Sequence, residues 1–418
     1  MSCSRLAFEK TAAAFHGEFM PETALAEKTR NTRERISTQE QSAAQDSHAE
    51  KSIHYSLGYI PALDGLRALS ILLVIAAHEI GPVTSQIGHD FNGWIGVDVF
   101  FVISGFLITS ILLKEAAKKG GRSDSGKFSL ARFYMRRWLR ICPAYYAYLA
   151  AVVAWYMLGG DHHLKPFICA GLYLTNLDIA YGWNLIPMKP FLTHLWSLGL
   201  EEQFYLVWPA CLKYVKKHAF KFVTAVMGAV YVWRLYLVAH GAPWYRIVNG
   251  FDTKIDALLA GVLVALLLSR EAFVQVASKT YGNPIVQLLL GGIMIQAFRW
   301  ISPPSHGGMN DQLFFWAVKM PCTTAIIASF LISILCGSKA PLARLFSNPI
   351  PVFIGKLSYS LYLWHPLVHL LYCAFYWDYF CKHGPTAELY QYGYIFAVAI
   401  FSYYVIEQPF LKLKSRFS

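Results

Sequence analysis

Charged side chains are scarce in this 418-residue chain, in which Asp, Glu, Lys and Arg make up only 15% of the residues. Hydrophobic residues reach 56%, aromatic residues reach 16%, and the mean hydropathy is +0.38. A soluble domain of this length needs polar side chains over most of its exterior, so the composition excludes one. The apolar residues form repeated stretches of about 17 to 25 residues, the length at which a helix spans a bilayer. The sequence therefore predicts an all-α polytopic membrane protein.

Closely spaced cysteines are also lacking. The eight cysteines are spread from Cys3 to Cys381 without the spacing of metal ligands, so neither a disulfide framework nor a metal site is indicated. The net charge of +12 falls mainly in short loops between apolar stretches, which indicates orientation in a bilayer and not binding of nucleic acid. Residues 1–57 lack the apolar core of a signal peptide, and we expect a disordered, polar cytoplasmic tail there.

The apolar stretches predict about ten transmembrane helices. We place them near 64–84, 94–113, 141–158, 195–212, 222–240, 254–269, 284–298, 312–336, 350–376 and 389–406. Residues 167–180 are too short to cross comfortably and carry three polar side chains, so we expect a re-entrant or interfacial segment.

The lysines and arginines between the helices predict the orientation of the chain. With the N-terminus inside, cytoplasmic loops hold twenty of these residues and the opposite loops hold six, as the positive-inside rule requires. We therefore predict a transmembrane domain at 58–410, a short basic cytoplasmic tail at 411–418, and both termini in the cytoplasm.

The first predicted helix carries Asp64, Arg67 and His78 on one face. Ionisable residues in apolar helices are costly and usually line a cavity. We interpret His78 as a general base, deep in a protected site, that takes a proton from a hydroxyl group. The alternative is a hydrogen-bonded histidine with a structural role.

A basic cluster, Arg132, Arg136, Arg137 and Arg140, lies along one helical edge before the third predicted span. One interpretation is a cytoplasmic anchor that follows the positive-inside rule. The other is that the guanidinium groups also bind phosphates, as a nucleotide-bearing acyl carrier such as coenzyme A requires. The sequence leaves both open.

The fourth span places His194, Ser197, Glu201 and Tyr205 on one helical face. A Ser-His-acid triad is excluded, because on one helix the histidine and Glu201 lie about 10 Å apart along the axis. We expect Glu201 to position a substrate hydroxyl or a histidine from another helix.

Further polar residues face the predicted interior. Asp98 and Ser104 lie in the second span, where Ser104 and Gly105 also suit close helix packing and Asp98 suits pairing with a base. In the ninth span, Ser358, Tyr362, His365 and His369 form a stripe, and Pro366 predicts a bend that directs the His365 ring into a cavity. Near the last helix end, Glu407 and Pro409 suit a terminator with a structural ion pair. The candidates for binding substrate are Asp64, Asp98, Tyr205, Asp256, Tyr362 and His365.

Seven motifs in order, between about Ile60 and Phe410, resemble the acyltransferase 3 family of membrane acyltransferases. They are LDGLRALSILLVIAAH, GVDVFFVISGFLIT, RFYMRRWLRICPAYY, HLWSLGLEEQFY, DALLAG, SYSLYLWHP and IEQPF. The resemblance implies that Arg67 and His78 match the family's arginine and histidine of the first span and that Glu201 matches its WSLxxE glutamate. It also implies that the four arginines of the basic cluster match the family's cytoplasmic arginines. Lys254 departs from the arginine that many members carry before DAL, which puts an acceptor-binding role there in doubt.

The resemblance also implies the reaction. An acyl group, commonly acetyl, passes from a cytoplasmic coenzyme A thioester to a hydroxyl of a carbohydrate or glycolipid acceptor, with no permanently bound cofactor and no metal. We expect a bacterial inner membrane location, with either direct transfer or hand-over to a separate periplasmic transferase. The rival interpretation is a transporter or flippase for a lipid-linked or small polar substrate.

Overall fold

The computed structural model describes residues 58–78, 93–118, 129–159, 163–185, 190–301, 308–337, 339–383 and 385–413. The predicted tail 1–57 lies outside these residues, as does most of the predicted tail 411–418. In the described part every regular element is a helix. The helices are α1 Pro61–His78, α2 Trp94–Lys118, α3 Leu130–Leu158, α4 Lys165–Gly171, α5 Thr175–Tyr181, α6 Pro190–Thr193, α7 Trp196–Val215, α8 Ala219–Ala239, α9 Trp244–Asn249, α10 Phe251–Lys254, α11 Asp256–Leu268, α12 Glu271–Tyr281, α13 Pro284–Trp300, α14 Met309–Phe314, α15 Met320–Cys336, α16 Pro341–Phe346, α17 Pro349–His383, α18 Pro385–Ser402 and α19 Gln408–Leu413.

Three short helical segments join some of these helices. A 3₁₀ turn at Lys216–His218 leads into α8, and π-helical turns at Phe315–Lys319 and Tyr403–Glu407 join α14 to α15 and α18 to α19. Each π-helical turn therefore lies within a longer, nearly continuous helix.

In the described residues, six helices are long and apolar enough to cross a membrane: Pro61–His78, Ile95–Ala116, Leu130–Leu158, Ala219–Ala239, Met309–Cys336 and Thr386–Leu413. A seventh is reached if α11 and α12, which meet at a bend of 104°, count as one span. These helices account for six of the ten predicted spans.

The other four predicted spans correspond to helices that are shorter or more polar. α11 and α13 have 13 and 17 residues, about 20 and 26 Å at 1.5 Å per residue, against a hydrocarbon core of about 30 Å. α7 and α17 are long enough, but α7 carries Glu201, Glu202 and Gln203 in succession. These polar residues lower its hydropathy.

The segment predicted not to cross, 167–180, forms the two seven-residue helices α4 and α5. Tyr173, which lies between them, has a positive φ of 57°. Its polar residues Thr175, Asn176 and Asp178 are buried, and Asn176 exchanges hydrogen bonds with Gln203 of α7. Gln203 of α7 therefore satisfies Asn176, whereas Asp178 accepts a hydrogen bond from the backbone N–H of Leu185 and the Thr175 hydroxyl has no hydrogen-bond partner in the described residues.

Helix directions follow from which ends meet. Gly355 of α17 packs on the backbone of Asp64, and His365 lies beside His78, so α1 and α17 run in the same direction. α3 and α7 run in opposite directions, because Arg137 lies beside Glu202 while Tyr148, further along α3, packs on His194.

Glycines allow the closest helix contacts in this core. A Cβ at Gly105 would lie 1.9 Å from the carbonyl oxygen of Leu258, and one at Gly261 would lie 2.0 Å from that of Val102. The predicted packing role of Gly105 is therefore confirmed: α2 and α11 touch backbone to backbone.

One local prediction is wrong and another stays a prediction. α17 continues through Pro366, and its one residue with non-helical dihedral angles is Tyr376, ten residues further on, so the bend at Pro366 stays a prediction. Glu407 does not end the last helix, because the π-helical turn containing it leads directly into α19. A π-helical turn shifts the backbone hydrogen-bond register, so a proline can follow without stopping the helix.

Candidate functional site

A cavity of about 640 Å³ lies between the first half of α1 and helices α2, α3, α7 and α17. Its volume is in the range of small-molecule and cofactor sites, about 300 to 1,000 Å³. The polar side chains that line it are Tyr59, Asp64, Arg67, Ser104, Arg136, Arg137, Arg140, Ser197, Glu201, Lys356, Ser358, Tyr359, Tyr362, Tyr403 and Glu407. Five of these are arginine or lysine, and three are carboxylates, so basic groups predominate.

Only part of the predicted basic cluster on α3 faces the cavity. Arg136, Arg137 and Arg140 line the cavity, whereas Arg132 lies near the start of α3 and is exposed. The predicted contact of Arg132 with a bound carrier is thus not supported by its position. Three guanidinium groups from α3 and one from α1 face the same space.

Acidic partners hold most of these guanidinium groups in place. Arg67 donates to Asp64 at 3.0 Å, and Arg136 pairs with Glu115 of α2. Arg137 lies 3.7 Å from a carboxylate oxygen of Glu202, and its guanidinium lies 3.4 Å from the centre of the Tyr205 ring.

Arg140 differs from its neighbours. No carboxylate within ion-pair distance of its guanidinium occurs in the described residues. Of the four cavity arginines it is therefore the one whose charge a ligand is best placed to neutralise.

The deepest polar groups in the cavity come from α7 and α17. Ser197 and Tyr362 are buried, and their hydroxyl oxygens are 2.7 Å apart. Tyr362 also donates to the backbone carbonyl of His194. Glu201 lines the cavity one helical turn from Ser197. The inner end of the cavity therefore contains the hydroxyl groups of Ser197 and Tyr362 and the carboxylate of Glu201.

Three histidine rings continue from this inner end. His194 lies 5.4 Å from Tyr362 and 5.6 Å from His365, and His365 lies 5.3 Å from His78, measured between ring centroids. His194 and His365 are buried, while His78, the last residue of α1, is exposed. The predicted deep burial of His78 is wrong because α1 ends there.

The ring nitrogens of His78 and His365 have defined roles. A backbone carbonyl can only accept a hydrogen bond, so the Nδ1 atoms that lie 2.7 Å from Val74 O and 3.1 Å from Leu361 O must carry protons. The Nε2 atom of each neutral ring is then free to take up a proton.

The three residues predicted to be catalytic therefore do not all line the cavity. Arg67 and Glu201 line the cavity, and His78 is not among its described lining residues. Tyr362, His194 and His365 lie between the cavity and His78.

The family of the chain is decided by comparison with known proteins. The family described as "Acyltransferase domain" matches residues 60–407. The chain belongs to the acyltransferase 3 family. The resemblance in the seven motifs is thus confirmed, and the match includes most of the cavity lining and the three histidines.

Named relatives add detail. A protein of Staphylococcus aureus (strain COL) is 31% identical over 389 residues, and its name gives it provisionally as an O-acetyltransferase. The match covers 85% of this chain and 58% of that protein. Peptidoglycan O-acetyltransferase OatA of Listeria monocytogenes is 31% identical over 341 residues, with 77% and 51% covered. O-acetyltransferase OatA of Staphylococcus aureus (strain NCTC 8325) is 29% identical over 328 residues, with 74% and 51% covered. The chain spans about half the length of these relatives, and no solved structure is significantly similar to it.

Two predicted substrate-binding carboxylates of this acyltransferase 3 chain lie in buried ion pairs. Asp98 of α2 pairs with Lys254 at 2.6 Å, and Asp256 pairs with Arg234 of α8 at 2.8 Å. Neither carboxylate is among the described residues that line the cavity. Asp256 is also buried. The lysine that departs from the family pattern thus has a partner on another helix.

A third acid–base pair lies near α9, outside the candidate spans. Arg246 holds Asp252 with bonds of 3.0 and 2.6 Å, and the Trp233 indole donates to the same carboxylate at 2.7 Å. Burial raises the pKa of Asp252, but these hydrogen bonds and the charge of Arg246 outweigh it, so the pKa lies below its ordinary value.

Sequence reasoning missed several residues of the site. Tyr359, Tyr403 and Glu407 line the cavity, and Glu407 is buried with a hydrogen bond from Ser360. The IEQPF motif was the available signal, although it was interpreted as a helix end. His194 was considered only as a triad member within its own helix. In the described residues no group of three or more His, Cys, Asp or Glu is arranged to hold a metal ion.

Proposed function

We propose that this chain is a membrane O-acyltransferase that moves an acyl group, acetyl in the simplest case, from acyl-coenzyme A to a hydroxyl of a carbohydrate-type acceptor. The observation that carries the proposal is the cavity of about 640 Å³ whose lining combines four guanidinium groups with the Ser197–Tyr362 hydroxyl pair. In a family of acyltransferases, such a cavity suits a carrier with phosphates at one end and a thioester at the other.

The donor enters beside the first turn of α1. Arg136, Arg137 and Arg140 bind its phosphates, with Arg140 contributing a charge that has no carboxylate within ion-pair distance in the described residues. Arg67, further along α1, helps to guide or polarise the carrier. The acyl thioester then extends past Ser197 and Tyr362 toward the histidine rings, so that its carbonyl carbon lies within reach of a hydroxyl bound at His78.

The acceptor hydroxyl approaches from the exposed end of α1, where His78 lies. Nε2 of His78 takes the hydroxyl proton as the oxygen attacks the thioester carbon, an ester C–O bond forms, and the C–S bond breaks. Glu201 positions the reacting groups from the cavity side. The exchange of a thioester for an oxygen ester involves no change of oxidation state.

The acceptor class rests on the relatives. One is named a peptidoglycan O-acetyltransferase, which favours a cell-envelope glycan here. Because the chain spans about half of these relatives, the acyl group either passes directly to the acceptor or goes first to a separate transferase outside the membrane.

The topology is part of the same proposal: ten crossings of a bacterial inner membrane, with both termini in the cytoplasm. The helix directions support it. With ten alternating crossings α1 and α17 run the same way and α3 and α7 run opposite ways, as the contacts of Gly355 and Arg137 indicate.

The experiment uses the full chain purified in lipid nanodiscs with labelled acetyl-coenzyme A and peptidoglycan fragments. We expect acetyl esters to form without an ion gradient, and His78→Ala to lower the rate about 100-fold or more while the protein remains folded. An exposed histidine outside the site, His240→Ala, is the matched control. A His78→Ala protein with wild-type turnover refutes the base assignment, and transport without acyl transfer refutes the function.

A further inference from the structure

His365 is the middle ring of the three histidines. Its ring centroid lies 5.3 Å from that of His78 and 5.6 Å from that of His194, distances at which aromatic rings are in contact. His365 is fully buried, and the row leads from the exposed end of α1 toward the inner end of the cavity. The three residues come from α1, α17 and the turn before α7, so only the tertiary fold brings them together.

One nitrogen of His365 has a partner and the other does not. Nδ1 donates to the carbonyl of Leu361 at 3.1 Å, whereas the buried Nε2 has no hydrogen-bond partner in the described residues. A buried unpaired polar atom is destabilising, so it calls for an explanation. The titratable groups that face it are His78 from α1, His194 from the turn before α7, and Tyr362 from its own helix.

We infer that His365 is a proton-transfer residue that receives the acceptor's proton from His78 and returns it toward the cavity. The inference rests on the proposed function. The acceptor O–H bond breaks as His78 Nε2 takes the proton, and His365 Nε2 then takes it from His78. The departing thiolate, beside Tyr362 and Ser197, collects it to form the S–H bond of free coenzyme A.

This role explains features that packing alone does not. The bond from Nδ1 to Leu361 keeps Nε2 of the neutral ring unprotonated between turnovers. Burial keeps bulk water away from that nitrogen, so a proton held there is not lost to solvent. His365 acts through His78 and need not touch the acceptor itself, which differs from the substrate-binding role expected from the sequence.

The test replaces His365 with Asn. The Asn amide can still donate to the Leu361 carbonyl, as Nδ1 does, but it offers no basic nitrogen at the Nε2 position. We expect kcat for acetyl transfer to fall about 100-fold or more, with the KM for acetyl-coenzyme A unchanged. The solvent deuterium isotope effect on kcat should increase, because proton transfer becomes rate-limiting. His369→Asn, one turn later on the same helix, should stay within about threefold of wild type.

His365→Gln is the second variant should the Asn protein not fold, with acetyl-coenzyme A binding measured on whichever is used. A folded variant with wild-type kcat overturns the inference. So does a variant whose kcat falls while the isotope effect is unchanged and the KM for acetyl-coenzyme A rises by the same factor, because that result indicates a structural role. If the wild-type protein forms no acetyl ester, the proposed function itself fails. That outcome is distinct from a working enzyme in which His365 is dispensable.

Discussion

At the scale of single residues, the guanidinium groups of α3 differ in their surroundings more than in their spacing. Arg136 and Arg137 each have a carboxylate partner, Arg140 has none in the described residues, and Arg132 is exposed. A paired arginine contributes to the position of a helix as well as to the charge of a cavity. The effects of removing each one should therefore differ.

Arg140→Gln should raise the KM for acetyl-coenzyme A about tenfold or more, because a charge-assisted hydrogen bond contributes about 1.5 to 3 kcal/mol. Arg132→Gln on the same helix is the control and should change the KM less than about twofold, since its side chain does not line the cavity. The measurement is steady-state kinetics with acetyl-coenzyme A and its 3′-dephospho analogue. Equal KM values for the two variants would contradict phosphate binding in the cavity.

Asp252 permits a prediction about pH. Its pKa is below the ordinary value in the folded protein, so its contribution to stability is full above the unfolded pKa of about 3.9 and is lost as pH falls through the folded pKa. Asp252→Asn should lower the Tm at neutral pH, and the difference from wild type should shrink below about pH 4. Thermal unfolding between pH 3 and 8 in detergent checks this. The exposed Glu271→Gln serves as control, and a gap that widens in acid would contradict the ion pair.

At the scale of helices, close backbone contacts determine how the site is assembled. Gly355 places α17 against Asp64, one turn before Arg67, and Gly105 and Gly261 place α2 against α11. The first contact sets one wall of the cavity. The second carries Lys254 to Asp98, so that neither buried charge is left unpaired.

Gly105→Ala should therefore destabilise the protein by about 1 to 3 kcal/mol, because the added methyl group meets the Leu258 backbone. Gly228→Ala on α8 has open space around it and should be neutral or stabilise by about 0.5 to 1 kcal/mol. Thermal unfolding in the same detergent compares the two. A Gly105→Ala protein as stable as wild type would show that α2 and α11 are not in close contact.

At the scale of the whole molecule, alternating crossings predict which loops face the outside. In a chain whose native cysteines are replaced, Gly241→Cys should react with a membrane-impermeant maleimide in intact spheroplasts. Lys217→Cys and Arg270→Cys should react only after permeabilisation, because the proposed ten-crossing topology places both in the cytoplasm. Labelling of Arg270→Cys in intact spheroplasts would show that α11 does not cross.

The sequence predicts a structural feature well when the residues that cause it are close together in the chain. The apolar length of α1, α2, α3, α8 and the last helix predicted them as spans, because crossing a bilayer is a property of a continuous segment. The predicted spans at α7 and α17 correspond to helices, but neither helix is among the candidate membrane spans of the described residues. The helix end expected at Glu407 failed, since a proline's effect depends on what packs around the freed backbone groups.

By itself the sequence determined the membrane class, the all-helical fold, the face shared by Asp64 and Arg67, and the family, because hydropathy, helical period and motif order are local along the chain. Only the tertiary structure decided which ionisable groups meet: Lys254 neutralises Asp98, Arg234 neutralises Asp256, and His365 lies between His78 and His194. The physical reason is that buried charges and ring nitrogens find partners across helices that are distant in sequence, and close packing at glycines selects those partners.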